Sequence, residues 1–586
     1  MKNKTALRGT LKILLPYLSA YRGRLAVVGS LVIAVVLIDL VQPYLVKEAI
    51  DKYVTVPTPN TTAIIRMALA YFALILAGCA MTYYQEIMLQ QVGLSIVRKI
   101  RIDLFNHIQR LALRYFDQNS SGRIITNVVS DTEALNNFFT QFLANIVRGS
   151  FSLVLIMFFM LRLNVTIALY CFLLIPLVAG ITVIFQKRLR KVNAEVRNRL
   201  GIAIGFLAEN LRGMAIIQIF HQEAKQQQRY NERNKALMRA TIIENRYILS
   251  FFNVTEILGD LGIATLLWFG GGAVIKGTVS FGVLYAFVGY IRRFFHPIST
   301  ISQQMNALQS AIVAVERISV TLQETPDIKE AQGAAAPEVI GKIELAGASL
   351  AYRPGYPVLH DISLTIQPGQ RIGFVGATGA GKSSIMNLVT RFYDVTEGAV
   401  IIDGVDVRQW PLEDLRRSVG IVQQDVTLFS GTITDNIRFF QPEISAERVR
   451  EACRIIGAEP FILRQSKGYD TVLSERGSTL SAGERQLLSF ARVLVFDPRI
   501  LILDEATACL DSNTEEVLQE AIHRVSQGRT LLVIAHRLST IQQMDLICVL
   551  EQGRIVERGT HGDLLRRQGN YWRLHQSGLM QLHEAA

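Results

Sequence analysis

Charged residues and cysteines are both scarce in this sequence. Charged side chains make up 19% of the 586 residues and hydrophobic ones 50%. Soluble domains usually carry about 25% charge, so the composition argues against a fully soluble chain, and its apolar content argues against a disordered one. The five cysteines form no Cys-x-x-Cys pair. This argues against a disulfide framework or a zinc site and favours a reducing compartment.

Long apolar runs, by contrast, are abundant before residue 320. Runs of about 20 residues can cross the ~30 Å hydrocarbon core of a bilayer as helices. Six such runs lie at residues 25–45, 63–84, 139–161, 165–185, 248–275 and 281–301. We therefore predict six membrane-spanning helices.

The chain is basic, with a formal net charge of +12. Such a charge is compatible with nucleic-acid binding, but the basic residues cluster before the first run, after the second and after the fourth, for example at Arg22, Arg98 and Lys187. The positive-inside rule then places both termini in the cytoplasm. We therefore predict a membrane protein with no nucleic-acid partner. No small-residue cleavage site follows a short apolar core, so no secretory signal is predicted.

Two segments on the predicted cytoplasmic side, residues 86–138 and 188–246, are long, polar and free of proline. We predict that the spanning helices continue through them. Each pair of helices would be joined by a turn, one at Phe116–Arg123 and the other at Glu209–Met214. We expect another cytoplasmic element to dock at these turns.

The chain changes character after residue 323. Residues 324–340 contain Pro, Gly and an Ala run without apolar periodicity, which is typical of a linker. Beyond it, short β-rich runs such as Arg371–Val375 and Thr530–Ala535 alternate with helical stretches, which predicts a parallel sheet with crossover helices. The expected fold is an α-helical membrane domain over residues 1–323 and an α/β domain over residues 341–586.

Gly376–Ser383 has the sequence GATGAGKS and fits the pattern G-x4-G-K-[ST]. It follows an apolar strand and precedes a helical run, the context that a P-loop requires. Its glycines let successive backbone N–H groups face phosphates, Lys382 adds a positive charge, and the Ser383 hydroxyl can reach Mg²⁺. The second domain is therefore predicted to be a P-loop ATPase.

Ile500–Glu505 is an apolar strand that ends in two carboxylates. Asp504 would belong to the Mg²⁺ shell, and Glu505 would polarise the attacking water. A strand that ends in ordinary surface acids would have the same sequence. The P-loop upstream favours the catalytic interpretation.

Between these motifs, Leu480–Gln486 (LSAGERQ) resembles the LSGGQ signature of ABC ATPases. Other motifs follow in the family's order: Tyr352 in SLAYRPG, Gln424 in VQQD, Ser474–Gly477, Ala508–Asp511 and His536 in IAHRLST. With six spans before the ATPase, the whole chain resembles an ABC exporter half-transporter. It is similar to multidrug-resistance-like and lipid-flipping members.

This resemblance implies roles for individual residues. Tyr352 would stack on adenine, Glu505 and His536 would be catalytic, and Mg²⁺ would be held by Ser383, Gln424 and Asp504. ATP would contact the remaining motif residues, namely Gly376, Thr378, Gly379, Gly381, Lys382, Ser384, Ser481, Gly483, Glu484 and Asp511. In this family the signature binds the γ-phosphate held by the other subunit's P-loop, so a dimer is implied.

The signature departs from the family pattern at two positions. Ala482 replaces its first glycine and adds a methyl group, and Glu484 replaces its glutamine and adds negative charge where triphosphate binds. Heterodimeric exporters have one competent and one impaired site. We therefore prefer a heterodimer with a second half-transporter over a homodimer, although drift without effect would leave the same sequence.

The transported substrate is the least determined feature. Asp39, Glu256 and Asp260 lie inside predicted spans, where charges are costly unless they face a cavity or a partner. An acidic cavity wall for lipophilic cations is one interpretation, and pairing with Arg292 or Arg293 is another. The predicted function is ATP-driven export or flipping of amphipathic small molecules, drugs or lipids, across a bacterial-type inner membrane, as one half of a dimeric exporter. An ATP-gated channel or regulator is the alternative.

Overall fold

The structure, a computed structural model, describes residues 15–55, 60–328, 337–474, 477, 479–504, 512–534 and 538–576. The chain divides into two compact units. The helical unit comprises the residues up to Gln109 together with Ser121–Glu324, and the α/β unit comprises Arg110–Ser120 together with the residues from Thr325 onward. Of the predicted linker, residues 324–328 and 337–340 are described and form neither helix nor strand.

The helical unit consists of long helices with short breaks. Its α-helices are Arg22–Ala49, Thr61–Gln109 (the first part of Thr61–Arg110), Ser121–Thr126, Thr132–Asn137, Leu143–Leu163, Val165–Phe172, Leu174–Arg212, Met214–Ile219, Glu223–Ile275 and Phe281–Gln323. Single π-helical turns at Ile50–Val54, Asn127–Asp131 and Phe138–Phe142 continue three of them. The helices extend far past the predicted spans, as the polar, proline-free segments predicted.

Five continuous helical stretches among the described residues are long and apolar enough to cross a membrane. They are Arg22–Val54, Thr61–Arg110, Ser121–Leu163, Val165–Arg212 and Glu223–Ile275, and they contain the first five predicted spans. The sixth predicted span lies on Phe281–Gln323, where Arg292 and Arg293 interrupt the apolar run. A sixth membrane crossing therefore stays a prediction.

Side chains spaced four residues apart form the core of the long second helix. Val92, Ile96, Ile100 and Leu104 lie on one face and pack in one cluster with Ala314 and other residues of Phe281–Gln323. The apolar window nearer the start of the same helix has no buried residue. Such an apolar, uncovered surface is what a bilayer would solvate.

The α/β unit contains a six-stranded sheet and smaller sheets beside it. Its strands are β1 Ile343–Arg353, β2 Tyr356–Ile366, β3 Arg371–Val375, β4 Glu397–Ile402, β5 Val405–Asp406, β6 Val419–Val422, β7 Gly431–Thr432, β8 Val472–Leu473, β9 Ile500–Asp504, β10 Thr530–Ile534, β11 Leu546–Glu551 and β12 Arg554–Gly559. The strand order in the six-stranded sheet is β12-β11-β3-β10-β9-β6. Strands β11, β3, β10, β9 and β6 are parallel and β12 is antiparallel. This agrees with the predicted α/β fold.

The helices of the α/β unit are shorter. They are Leu113–Gln118, Lys382–Val389, Leu412–Ser418, Ile433–Ile437, Ala446–Ile455, Glu459–Arg464, Ala482–Val495, Ser512–Ser526, Leu538–Ile541 and His561–Arg567. Because the carboxyl ends of parallel strands meet at one edge of a sheet, the segments that follow β3, β6 and β9 are brought together there.

Candidate nucleotide-binding site

The loop between β3 and the helix Lys382–Val389 has a conformation that its glycines make possible. Gly379 and Gly381 have φ values of +85° and +101°, in the left-handed region where side chains are strained. A Cβ atom on Gly376 would lie 2.2 Å from the Leu550 carbonyl oxygen. The loop can therefore form only with glycine at these positions, and it ends at a helix N-terminus, which favours anions.

Lys382 is buried, with 6% of its surface exposed. Its Nζ donates to the carbonyl oxygens of Gly376 (2.8 Å) and Ala377 (3.1 Å), so the ammonium group lies over the loop that precedes it. Ser383, the next residue, is exposed, and Ser384 is buried. The loop therefore offers a fixed positive charge beside an accessible hydroxyl group.

Gln424 and Asp504 lie at the same sheet edge as this loop. Strand β6 pairs in parallel with β9, and the last pair is Val422 opposite Leu503. Gln424 and Asp504 therefore follow this pair by two residues and by one residue, respectively. With Ser383 they supply a hydroxyl, an amide and a carboxylate oxygen, the ligand type that Mg²⁺ prefers. No group of three His, Cys, Asp or Glu able to hold a metal occurs among the described residues. A Mg²⁺ ion that also binds substrate phosphates does not need one.

Tyr352 is hydrogen-bonded to the helix that follows the P-loop. Its hydroxyl donates to Ser384 Oγ (3.0 Å) and accepts from Asn387 Nδ2 (3.0 Å). The edge of one ring meets the face of the other in the pair Tyr352–Tyr393, with centroids 4.7 Å apart. The aromatic group expected to stack on adenine is thus held beside the phosphate-binding loop.

Ser481 begins the helix Ala482–Val495, which we call the signature helix. Its Oγ accepts from the Glu484 N–H (3.2 Å), and the Glu484 carboxylate accepts from the Ser481 N–H (2.8 Å). This reciprocal pair is a capping box. Gly483 is buried and Ala482 is exposed, so the extra methyl group is accommodated within this chain. The Glu484 charge lies in the first turn of the helix, where the helix dipole favours anions.

Two family models match this chain. Residues 25–298 match the ABC transporter transmembrane region, and residues 359–508 match the ABC transporter family. A probable multidrug resistance ABC transporter ATP-binding/permease protein of Bacillus subtilis, YheH, is 38% identical over 534 residues, which are 90% of this chain and 79% of that protein. This chain belongs to the ABC transporter family.

Other ABC transporters agree with this assignment. An ATP-dependent lipid A-core flippase of Syntrophus aciditrophicus is 35% identical over 91% of this chain and 88% of that protein. The structure of a bacterial Atm1-family ABC exporter with ATP bound aligns with a TM-score of 0.80 at 26% identity, over 95% of this chain and 98% of that chain. This ABC transporter is an integral membrane protein and an ATPase coupled to transport, with both regions fused in one chain.

The helix Leu113–Gln118, which we call the docked helix, packs in the α/β unit of this ABC transporter although helices of the helical unit flank it in sequence. The Tyr393 hydroxyl donates to the Asp117 carboxylate. Arg114 lies 3.1 Å from the Asp327 carboxylate, and its guanidinium lies 5.8 Å from the centre of the Tyr393 ring. The docked helix overlaps the predicted turn Phe116–Arg123, so the packing of another element at this turn agrees with the prediction. The cytoplasmic location of that element and docking at the turn Glu209–Met214 stay predictions.

Tyr393 joins the docked helix to the nucleotide site. Burial raises the pKa of Tyr393 well above its ordinary value, and the hydrogen bond to Asp117 raises it further. The phenol therefore stays protonated and donates. Its ring is the one that Tyr352 meets. The sequence reasoning missed Tyr393, because its partner Asp117 lies 276 residues away.

A second positioning network connects the signature helix to the segment after Gln424. Arg492 Nε donates to the Asn436 carbonyl oxygen (2.9 Å), and Nη1 donates to that of Thr427 (3.1 Å). The Asn436 amide pairs with both the N–H and the C=O of Phe429, at 2.8 Å each. Burial lowers the pKa of Arg492, which nevertheless stays charged at neutral pH. No local sequence signal marks this network.

Three residues of the predicted site, Glu505, Asp511 and His536, lie outside the described residues. Their roles stay predictions. Asp504, the last residue of β9, is described and is half-buried.

The acids predicted for a substrate cavity do not come together. Asp39 lies 3.4 Å from Arg148 and 3.8 Å from Arg293, and it lines a cavity in the helical unit. Glu256 and Asp260 are exposed on the helix Glu223–Ile275 and do not line that cavity. Of the arginines considered as partners, Arg293 pairs with Asp39.

Proposed function

We propose that this chain is one half of a dimeric exporter that uses ATP hydrolysis to export or flip amphipathic small molecules, such as drugs or lipids. The docked helix carries the proposal, because it packs in the unit that holds the P-loop and is covalently continuous with two apolar helices, Thr61–Arg110 and Ser121–Leu163. The names of the relatives, a multidrug resistance transporter and a lipid A-core flippase, support the substrate class.

At the ATP site, each residue has a distinct task. Lys382 and the N–H groups of the P-loop neutralise and orient the phosphates, and Tyr352 holds the adenine ring. Ser383, Gln424 and Asp504 would hold Mg²⁺, which supplies further positive charge on the phosphates. Glu505 polarises the attacking water, and His536 bonds the γ-phosphate.

Each ATP site of the dimer takes its P-loop from one subunit and its signature from the other. Within this chain, the Glu484 carboxylate accepts a hydrogen bond from the Ser481 N–H. Both residues lie at the helix N-terminus where the γ-phosphate held by the partner subunit would bind. A glutamine could form the same cap without a charge, so it is the negative charge of Glu484 at this position that supports an impaired signature and therefore a heterodimer with a second half-transporter. Expression of the chain alone tests this, because robust, drug-stimulated ATPase activity from the single chain would contradict it.

The proposed location is the bacterial inner membrane, with both termini and the α/β unit in the cytoplasm. Basic residues that flank the apolar runs support this orientation. Cysteine accessibility labelling at a residue introduced in the α/β unit of inverted vesicles would test it.

Replacement of the proposed catalytic carboxylate tests the ATPase assignment. Glu505→Gln keeps the shape but removes the charge that orients water, so ATP should still bind while turnover falls by at least ~10²-fold. Glu516→Gln is the matched control, since Glu516 is exposed on the following helix. The measurement is ATPase activity in liposomes, with any competent partner site blocked first. Near-normal turnover by Glu505→Gln would contradict the assignment.

A further inference from the structure

A cavity of about 260 Å³ lies among three helices of the helical unit. Each helix contributes one face to it, with residues three or four positions apart. They include Val36, Asp39 and Leu40 from Arg22–Ala49, Arg148 and Ser152 from Leu143–Leu163, and Arg293, Pro297 and Thr300 from Phe281–Gln323. The three ionisable residues lie within the predicted spans 25–45, 139–161 and 281–301, which places them at membrane depth if all three segments cross the bilayer.

The cavity carries more positive than negative charge. Asp39 is its carboxylate, and Arg148 and Arg293 are its guanidinium groups. The Asp39 oxygens lie 3.4 Å from Arg148 Nη2 and 3.8 Å from Arg293 Nη1. Close charge-assisted pairs have distances of about 2.7–2.9 Å. Among the described residues that line the cavity, one carboxylate and two guanidinium groups give a net charge of +1.

The two arginines are held differently. Arg293 donates through Nη1 to the Asp39 carbonyl oxygen (2.5 Å) and through Nη2 to Gln42 Oε1 (2.9 Å), so two hydrogen bonds fix its position. For Arg148, the hydrogen bond found among the described residues is the long one to Asp39. A guanidinium has five N–H donors in a planar fork. Arg148 therefore retains donors that can bind a second acid.

Side chains with this charge at membrane depth must face water or a ligand rather than lipid. Between 35% and 41% of each of the three side chains is exposed, which shows that the cavity is open. Its wall also contains apolar groups, including Val36 and Leu40. An arginine fork beside an apolar wall suits a carboxylate, phosphate or sulfonate headgroup that carries an apolar tail.

We infer that this cavity binds anionic amphiphiles, with Arg148 and Arg293 on the headgroup and Asp39 holding the arginines in place. The inference deepens the proposed function by naming a substrate class, and in that sense it rests on it. It replaces the expectation of lipophilic cations at Asp39, because the neighbouring arginines outnumber the carboxylate that would attract a cation.

Direct binding to the full chain tests the inference. The protein is placed in nanodiscs of zwitterionic phosphatidylcholine and titrated, without ATP, with dansyl-labelled undecanoic acid or with its neutral methyl ester. The acid should bind more tightly than the ester. Arg148→Gln should weaken binding of the acid by about ten- to a hundredfold, as expected for loss of hydrogen bonds to a charged group, and leave the ester unchanged.

Three further variants separate recognition from folding. Arg148→Lys keeps the charge and should retain much of the affinity for the acid. Arg292→Gln removes an exposed neighbouring arginine that does not line the cavity and should have no effect. Asp39→Asn raises the net charge of the cavity and should strengthen binding of the acid. A purely structural ion-pair cluster would instead lower acid and ester binding together in all the cavity variants.

Equal affinity for acid and ester, or acid binding unchanged by Arg148→Gln, would overturn the inference. Displacement of the acid by inorganic phosphate at similar concentration would overturn the amphiphile assignment, because the tail would then contribute nothing. These titrations do not depend on turnover. A negative result in these titrations would therefore not contradict the proposed ATP-driven export. That proposal would be contradicted instead by a chain without ATPase activity.

Discussion

Removal of one hydroxyl group tests whether the docked helix is held by Tyr393. Tyr393→Phe keeps the ring that contacts Tyr352 and Arg114 and deletes the hydrogen bond to Asp117. A hydrogen bond to a charged group contributes about 1.5–3 kcal/mol. Asp117 is exposed and can bind water instead, so the loss should lie near or below the lower end of this range, at about 1–1.5 kcal/mol.

This free energy corresponds to a roughly five- to tenfold larger population of the undocked helix. Hydrogen exchange of the amides at residues 113–118 reports that population, because local exchange follows the opening equilibrium. Exchange in the full chain should become faster by the same factor. The ratio of substrate-stimulated to basal ATPase activity should fall, while ATP affinity stays near normal.

The control is Tyr356→Phe, which removes a hydroxyl group from a side chain that is 75% exposed. A double-mutant cycle with Asp117→Asn assigns the effect, since the double variant should behave like either single variant if one bond carries it. Unchanged exchange at residues 113–118 in Tyr393→Phe would refute the reasoning.

Three other variants make further predictions. Lys382→Ala removes the ammonium group over the P-loop and should weaken ATP binding at this chain's own site, and unchanged labelling by a photoreactive ATP analogue would contradict it. The pair Ala482→Gly and Glu484→Gln should raise ATPase activity about 5- to 150-fold if the altered signature limits turnover, and should change it little in a heterodimer whose partner lacks a catalytic carboxylate. Hydrogen bonding from Arg371 lowers the pKa of Asp545, so the pair stabilises the protein above the ordinary Asp pKa and this contribution disappears as the pH falls through the lowered value. Asp545→Asn should therefore lower the unfolding temperature at pH 7 slightly, because a half-exposed ion pair contributes up to ~1 kcal/mol. A difference in unfolding temperature from the parent chain that stays undiminished in strong acid would contradict this.

Local chemistry explains what could be predicted from the sequence. The P-loop is one contiguous segment, and its glycines are needed because Gly379 and Gly381 have positive φ. Apolar runs predicted the first five spans because the length and the apolarity of a contiguous run together decide whether a helix can cross a bilayer. Ser481 and Glu484 are three residues apart, so a capping box was also accessible from the sequence, although Glu484 was interpreted only through its charge.

Contacts between distant residues explain what could not be predicted. Asp39 was expected in an acidic wall, but the packing of three helices places Arg148 and Arg293 beside it. Arg492 reaches Asn436 only because the signature helix packs against the segment after β6. No periodicity or motif specifies which helices become neighbours, so these pairings require the tertiary structure.

The docked helix also has a consequence for how the protein is made. Its Asp117 is synthesised 276 residues before Tyr393, its partner in the α/β unit. At about 5–20 residues per second, the ribosome takes roughly 14–55 s to cover that distance. During this interval the segment 110–120 has been translated, but its binding surface does not yet exist. The α/β unit therefore includes a segment from outside its own contiguous sequence, and a chain translated only from Thr325 onward would lack the carboxylate that accepts the hydrogen bond from the Tyr393 hydroxyl.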